Sequence, residues 1–184
     1  MSFKDDSQMI IDLVNIKKHL NYDTIIETGT NKGESLEILK AIFNKVYTCE
    51  VLPAYFEEVR NKPGLVDERV VHELSNSPDF LKKVFKELNH DNFYLYLDAH
   101  WYEYCPLYDE LQLVKDFGYK PVIIIHDFDV GNGFAYGGTG MEKVDFNFVL
   151  EKIKEIYGGE GKYVTFFNKK SDITRGCAYF YPVK

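Results

Sequence analysis

The sequence predicts an α/β fold: a doubly wound sheet of seven strands, mostly parallel with an antiparallel last strand, with helices on both faces. Three observations predict it. Short β-branched or aromatic runs alternate with amphipathic helical stretches along most of the chain, the pattern of a parallel sheet covered on both sides. The most apolar run, Pro121–His126 (PVIIIH), has no polar face, as a central strand requires. The last two strand-like runs, Tyr163–Phe167 and Gly176–Tyr181, are separated by the eight residues Asn168 to Arg175. That is too few for a parallel crossover, so these two runs form an antiparallel hairpin.

The elements follow in order. Asp5–Leu20 has Ile10, Leu13 and Val14 at helical spacing behind the capping candidates Asp5, Asp6 and Ser7, so an N-terminal helix is expected within residues 1–22. Thr24–Thr28 (TIIET) is a buried strand bounded by Gly29, and Glu34–Asn44 is a helix with Leu36, Leu39, Ala41 and Phe43 as its apolar bulk. Lys45–Glu50 is the second strand. The helix Pro53–Asn61 opens on a proline, where a missing N–H costs nothing. Val70–Glu73, Asp79–Leu88, Phe93–Asp98 and Cys105–Phe117 continue the alternation, the last stopped by Gly118. After Pro121–His126, Lys143–Tyr157 is a helix ended by Gly158-Gly159. No repeat, linker or low-complexity tract divides the chain, so residues 1–184 read as one domain.

Composition narrows the function. With 22 Lys and Arg against 29 Asp and Glu, the net charge is −7, which lacks the footprint of a nucleic-acid binder. No apolar run approaches the length of a membrane span, and the N-terminus lacks the cationic and apolar regions of a signal peptide. Three scattered cysteines, Cys49, Cys105 and Cys177, make neither a disulfide framework nor a zinc ribbon and fit a reducing, cytoplasmic setting.

In open α/β sheets ligands bind beyond the carboxyl ends of the strands. Polar residues gather there: Glu27, Gly29, Thr30, Asn31 and Gly33 after strand one; Glu50 at the end of strand two; Ser75, Asn76 and Ser77 after strand three; Asp98 and His100 after strand four; His126, Asp127 and Asp129 at the end of strand five. Glycine lets the first turn bend sharply and admits a ligand closely. Glu50 follows Gly29 by 21 residues, a spacing that suits a carboxylate bonding ribose hydroxyls. A dinucleotide fingerprint wants a second glycine where Asn31 stands, and Glu27 beside the turn opposes an anionic ligand and favours a cationic one.

On these residues the chain resembles the class I S-adenosylmethionine-dependent methyltransferases, a Rossmann-like family. Glu27-x-Gly29-x-x-x-Gly33 is similar to that family's first motif, Glu50 to its ribose-binding acid, and the reversed seventh strand to its sheet. The resemblance implies S-adenosylmethionine as cofactor, with Glu27, Gly29, Thr30, Asn31, Gly33, Glu50 and Asp98 around it and adenine near Asn76 and Ser77. The stretches LDAHWYEYCPLYDEL and IIIHDFDV resemble a subgroup that methylates small molecules, including sugars. In the metal-dependent O-methyltransferases an Asp after strand four and an Asp-Asn pair after strand five hold a divalent cation. Asp98 and Asp127 match two of those ligands, and Phe128 stands in place of the Asn, leaving Asp129 or water as the third. All-oxygen ligands would select Mg2+ or Ca2+.

The expected activity is methyl transfer to a hydroxyl of a small molecule. Asp98 and Asp127 are its expected centre, either holding a cation or orienting His100 or His126 as general base. His100 is the favoured base because it precedes the aromatic residues Trp101, Tyr102 and Tyr104. A glycine-rich active-site loop is expected over 127–142, with Gly131–Gly140 closing on the acceptor through Phe134 and Tyr136. The competing readings are an NAD(P)-dependent oxidoreductase and a non-catalytic nucleotide-ligand-binding module on the same fold.

Overall fold

A computed structural model describes residues 6–99, 104–131, 144–168 and 176–183. One seven-stranded sheet runs through it in the order β3-β2-β1-β4-β5-β7-β6. The strands are β1 (Thr24–Thr28), β2 (Lys45–Glu50), β3 (Val70–Leu74), β4 (Phe93–Leu97), β5 (Val122–Phe128), β6 (Tyr163–Asn168) and β7 (Gly176–Pro182). The first five pair in parallel, and β7 lies antiparallel between β5 and β6. The reversed seventh strand is the expected one. Strand order reverses at β1/β4, where the crevice of a doubly wound sheet opens.

The helices are α1 (Ser7–Leu20), α2 (Glu34–Ile42), α3 (Pro53–Arg60), α4 (Ser77–Glu87), α5 (Leu107–Asp116) and α6 (Phe146–Tyr157). Period-2 alternation sorts each central strand between two cores. Ile25, Tyr94, Tyr96 and Ile124 join Met9 and Leu13 of α1, Leu36 and Leu39 of α2 and Val59 of α3. Ile26, Leu95, Leu97, Ile123 and Ile125 join Phe80 of α4, Leu111 of α5 and Ile153 of α6 on the opposite face. Both faces of the sheet are therefore dry, and its carboxyl edge is left for chemistry.

Some boundaries differ from the sequence expectation for local reasons. α1 starts one residue after its cap, Asp6, whose carboxylate accepts from the Met9 N–H at 3.0 Å. α4 starts at Ser77 rather than Asp79, because Asn76 caps it through the Asp79 N–H at 2.9 Å and Pro78 occupies its first turn. β5 runs past His126 to Phe128, because Phe128 pairs with Gly176 across an irregularity that begins after Ile125.

Candidate active site

The turn after β1 is built from backbone conformations that few residues adopt. Gly29 has φ +89° and Gly33 has φ +77°, and Asn31 between them also takes a positive φ of 49°. A Cβ on Gly29 would meet the Asp98 carbonyl oxygen at 2.8 Å, so glycine there lets β1 and the end of β4 converge. The turn's amides point inward. The Gly29 and Thr30 N–H groups donate to the Cys49 carbonyl at 3.1 and 2.9 Å, and the Gly33 N–H to the Thr30 carbonyl at 2.9 Å. The Asn31 N–H donates to Glu50 Oε2 at 2.7 Å. A phosphate cradle needs such amides aimed at the ligand. Here four of them are engaged inside the protein.

Glu50 also accepts from the N–H groups of Val51 and Leu52, at 3.0 and 2.9 Å. An ionised carboxylate has about four acceptor sites, so three amides leave room for one more donor. Glu27 lies deeper. It is fully buried, with its carboxylate held by the hydroxyls of Ser35 and of Thr48, the latter at 2.7 Å. Burial pushes its carboxyl up to about 7, against the opposing pull of those two hydroxyls. Thr30 is also buried, with its hydroxyl 2.5 Å from that of Thr48. Glu27 and Thr30 thus brace the turn from behind, while Asn31 is exposed on it.

Asn76, the residue expected near adenine, caps α4. Both ends of its amide are engaged with Asp79, the oxygen accepting from the backbone N–H and Nδ2 donating to Oδ2 at 2.8 Å, which leaves a helix cap. Ser77 is the buried first residue of α4.

At the ends of β4 and β5 three side chains converge. Asp98 Oδ1 is 3.0 Å from His126 Nδ1, and Asp127 Oδ1 is 3.2 Å from the same nitrogen. Tyr96, two residues before Asp98 and so on the same strand face, donates its hydroxyl to Asp98 Oδ2 at 3.0 Å. His126 and Asp127 are adjacent in sequence and would project to opposite faces of a regular strand. The irregularity after Ile125 and the left-handed backbone of Asp127, φ 54°, bring both to Asp98. The shift also explains why Ile125 and Phe128, three residues apart, belong to the same core face.

Burial alone would lower the His126 pKa. The charge of Asp98, hydrogen bonds to Asp127 and Asp98, and the charge of Asp127 outweigh it and push the group up to about 10. The two carboxylates therefore favour positive charge at the His126 position, whether a proton or a cation carries it. Asp129, the expected third ligand, lies beyond the end of β5. Its carboxylate accepts from the Gly131 N–H at 2.8 Å, and it is not one of the three residues whose ligand atoms lie within 4.8 Å of one another. Those are Asp98, His126 and Asp127, a nitrogen and two carboxylate oxygens that fit a divalent cation. Phe128, in the expected third-ligand position, is buried in the core.

His100, Trp101, Tyr102 and the loop positions Phe134 and Tyr136 lie outside the described residues. Two residues of the site escaped the sequence reading. Tyr96 could have been found from its i−2 spacing to Asp98. Glu110 is fully buried on α5, and its carboxyl is pushed up to about 7 by burial. Its signal was present in the sequence, since it shares the apolar stripe of Leu107, Leu111 and Val114.

No protein-family model and no curated protein matches the sequence. Solved structures do match the fold. An O-methyltransferase from Bacillus cereus, in complex with S-adenosylhomocysteine, aligns at TM-score 0.65 and 18% identity over 96% of this chain and 81% of its own. The O-methyltransferase TomG from Streptomyces achromogenes, involved in tomaymycin synthesis and in complex with S-adenosylmethionine, aligns at 0.65 and 15% over 97% and 81%. The methyltransferase domain of bacterial CtHen1 aligns at 0.65 and 16% over 96% and 98%. The expected likeness to class I S-adenosylmethionine-dependent methyltransferases therefore holds at the level of the fold: a seven-stranded sheet with a reversed last strand and helices on both faces.

Proposed function

We propose that this protein transfers a methyl group from S-adenosylmethionine to a hydroxyl of a small molecule, a class that includes sugars. The observation that carries the reading is the turn after β1. Its four inward-bonded amides offer nothing to a pyrophosphate, while Glu50 and Asp98 place carboxylate charge at the same sheet edge. That arrangement suits a ligand with a sulfonium cation and a ribose and disfavours a nicotinamide dinucleotide. The fold neighbours crystallised with S-adenosylmethionine and S-adenosylhomocysteine support it.

In this reading Glu50 would hold the ribose hydroxyls on its remaining acceptor site, and the turn at Gly29 would face the methionine part. The acceptor oxygen attacks the methyl carbon, the carbon–sulfur bond breaks, and its electron pair returns to sulfur as the neutral thioether. The hydroxyl proton goes to a base, for which His100, two residues past Asp98, is the candidate. A divalent cation held by Asp98, His126 and Asp127 would lower the pKa of that hydroxyl. Tyr96 and the β4 backbone fix Asp98 for either role.

Asp98→Asn tests the centre. It keeps the shape and removes the charge, so turnover on a genuine acceptor should disappear while S-adenosylhomocysteine still binds. Wild-type rates in Asp98→Asn, Asp127→Asn and His100→Ala alike would place the chemistry elsewhere.

A further inference from the structure

We propose that His126 is a metal ligand, and that Asp98, His126 and Asp127 bind a first-row transition ion such as Mn2+ in preference to Mg2+. The inference deepens the methyl-transfer reading and rests on it for its purpose, though its test stands apart.

One nitrogen faces two carboxylates. His126 Nδ1 lies 3.0 Å from Asp98 Oδ1 and 3.2 Å from Asp127 Oδ1. A protonated Nδ1 has one hydrogen, which cannot point well at both oxygens at once. A proton is thus a poor centre for this arrangement. An ion is a good one: two ligand atoms each about 2.1 Å from a common ion, at right angles, stand roughly 3 Å apart. The backbone irregularity that turns Asp127 to the same side as His126 serves this convergence.

The surroundings point the same way. Asp98 accepts from Tyr96 through its other oxygen, the outer-shell bond that commonly fixes a ligating carboxylate. His126 and Asp127 are buried, whereas Asp98 is partly open, so the site has a closed floor and one accessible side. The donor set decides the ion. Mg2+ and Ca2+ take oxygen ligands, while imidazole nitrogen suits first-row transition ions. Among the described residues the converging ligand atoms belong to Asp98, His126 and Asp127, and Asp129 is not one of them.

The experiment uses the full chain stripped with EDTA and titrated with Mn2+, followed by electron paramagnetic resonance, with S-adenosylhomocysteine binding measured separately. The expected result is one bound Mn2+ per chain showing nitrogen modulation in the pulsed spectrum. Mg2+ should displace it only at an excess on the order of 100-fold. His126→Ala should weaken Mn2+ on the order of 100-fold while still binding S-adenosylhomocysteine. The proposal is overturned if wild type binds no Mn2+, if bound Mn2+ shows no nitrogen modulation, if Mg2+ competes equally, or if His126→Ala binds Mn2+ as well as wild type. In the last case His126 is a positive clamp between the aspartates. Should His126→Ala not fold, the nitrogen modulation of the wild type decides alone. Failure to bind S-adenosylhomocysteine with Mn2+ binding intact would break the methyl-transfer reading and leave this one standing.

Discussion

A methyl group added at Gly29 would lie 2.8 Å from a backbone oxygen, on a residue whose φ is +89°. Backbone cannot step aside as a flexible side chain can. Gly29→Ala should therefore cost more than the roughly 1–3 kcal/mol of left-handed strain alone. Gly64→Ala supplies the control, since its φ of +73° is similarly strained but its Cβ would meet nothing within 4 Å. Urea unfolding of the two variants separates strain from collision, and equal losses would mean that the β1–β4 approach is not tight. Ionisable residues give a second prediction. Burial raises Glu27 and Glu110 from 4.5 to about 7, so the fold favours their neutral forms. Their contribution to stability is fully present below about 4.5 and is lost as pH rises through 7. His126, raised from 6.5 to about 10, adds stability that is complete below 6.5 and is lost as pH rises through 10. Stability from these three groups should thus fall between pH 5 and pH 10. Unfolding curves at pH 5, 7 and 9 check this, and Glu27→Gln should flatten the acidic part. A stability that rises across that range in the metal-free protein would show that other groups dominate.

Strands and helices were legible in the sequence wherever a local rule was enough. Alternation of β-branched runs with amphipathic stretches located every strand and helix, and an eight-residue connection showed that the last strand reverses. What local rules could not show was the end of β5. Period-2 reasoning stops the strand at His126 and sends Asp127 to the other face. The structure continues it to Phe128, because pairing with Gly176 on β7 is a tertiary event. A Cβ at Gly176 would meet the Phe128 carbonyl oxygen at 2.5 Å, so this glycine admits the irregularity that assembles the site. Gly176→Ala should then reduce both stability and Mn2+ affinity, although Gly176 is not itself one of the three converging groups. Undiminished metal binding would separate the strand irregularity from the site. Asn76 shows another limit: its residue type suits adenine, and it also suits the cap it forms on α4. Asn76→Ala should cost about 1 kcal/mol of stability and leave S-adenosylhomocysteine affinity nearly unchanged. A marked loss of affinity would restore it to the cofactor site.

For the whole molecule, two dry faces leave the carboxyl edge as the place where charge can gather. Glu50, Asp98 and Asp127 stand along it at or near the ends of β2, β4 and β5. On the proposed reading, such an edge, with the amides of its first turn engaged inside the protein, suits a cation that also carries hydroxyls. His100 and the glycine-rich stretch Gly131–Gly140, on which the choice of acceptor is expected to turn, fall largely outside the described residues. Glu50→Gln should weaken S-adenosylhomocysteine by roughly 1.5–3 kcal/mol, as a charged acceptor for the ribose hydroxyls is lost. The central claim is cofactor identity, and thermal unfolding with S-adenosylhomocysteine or NAD tests it most directly. A ligand bound only to the native state at a hundredfold excess over its Kd adds about 2.7 kcal/mol, a rise in Tm of roughly 5–10 °C at this size. That rise is expected with S-adenosylhomocysteine and absent with NAD. A rise with NAD and none with S-adenosylhomocysteine would contradict the account.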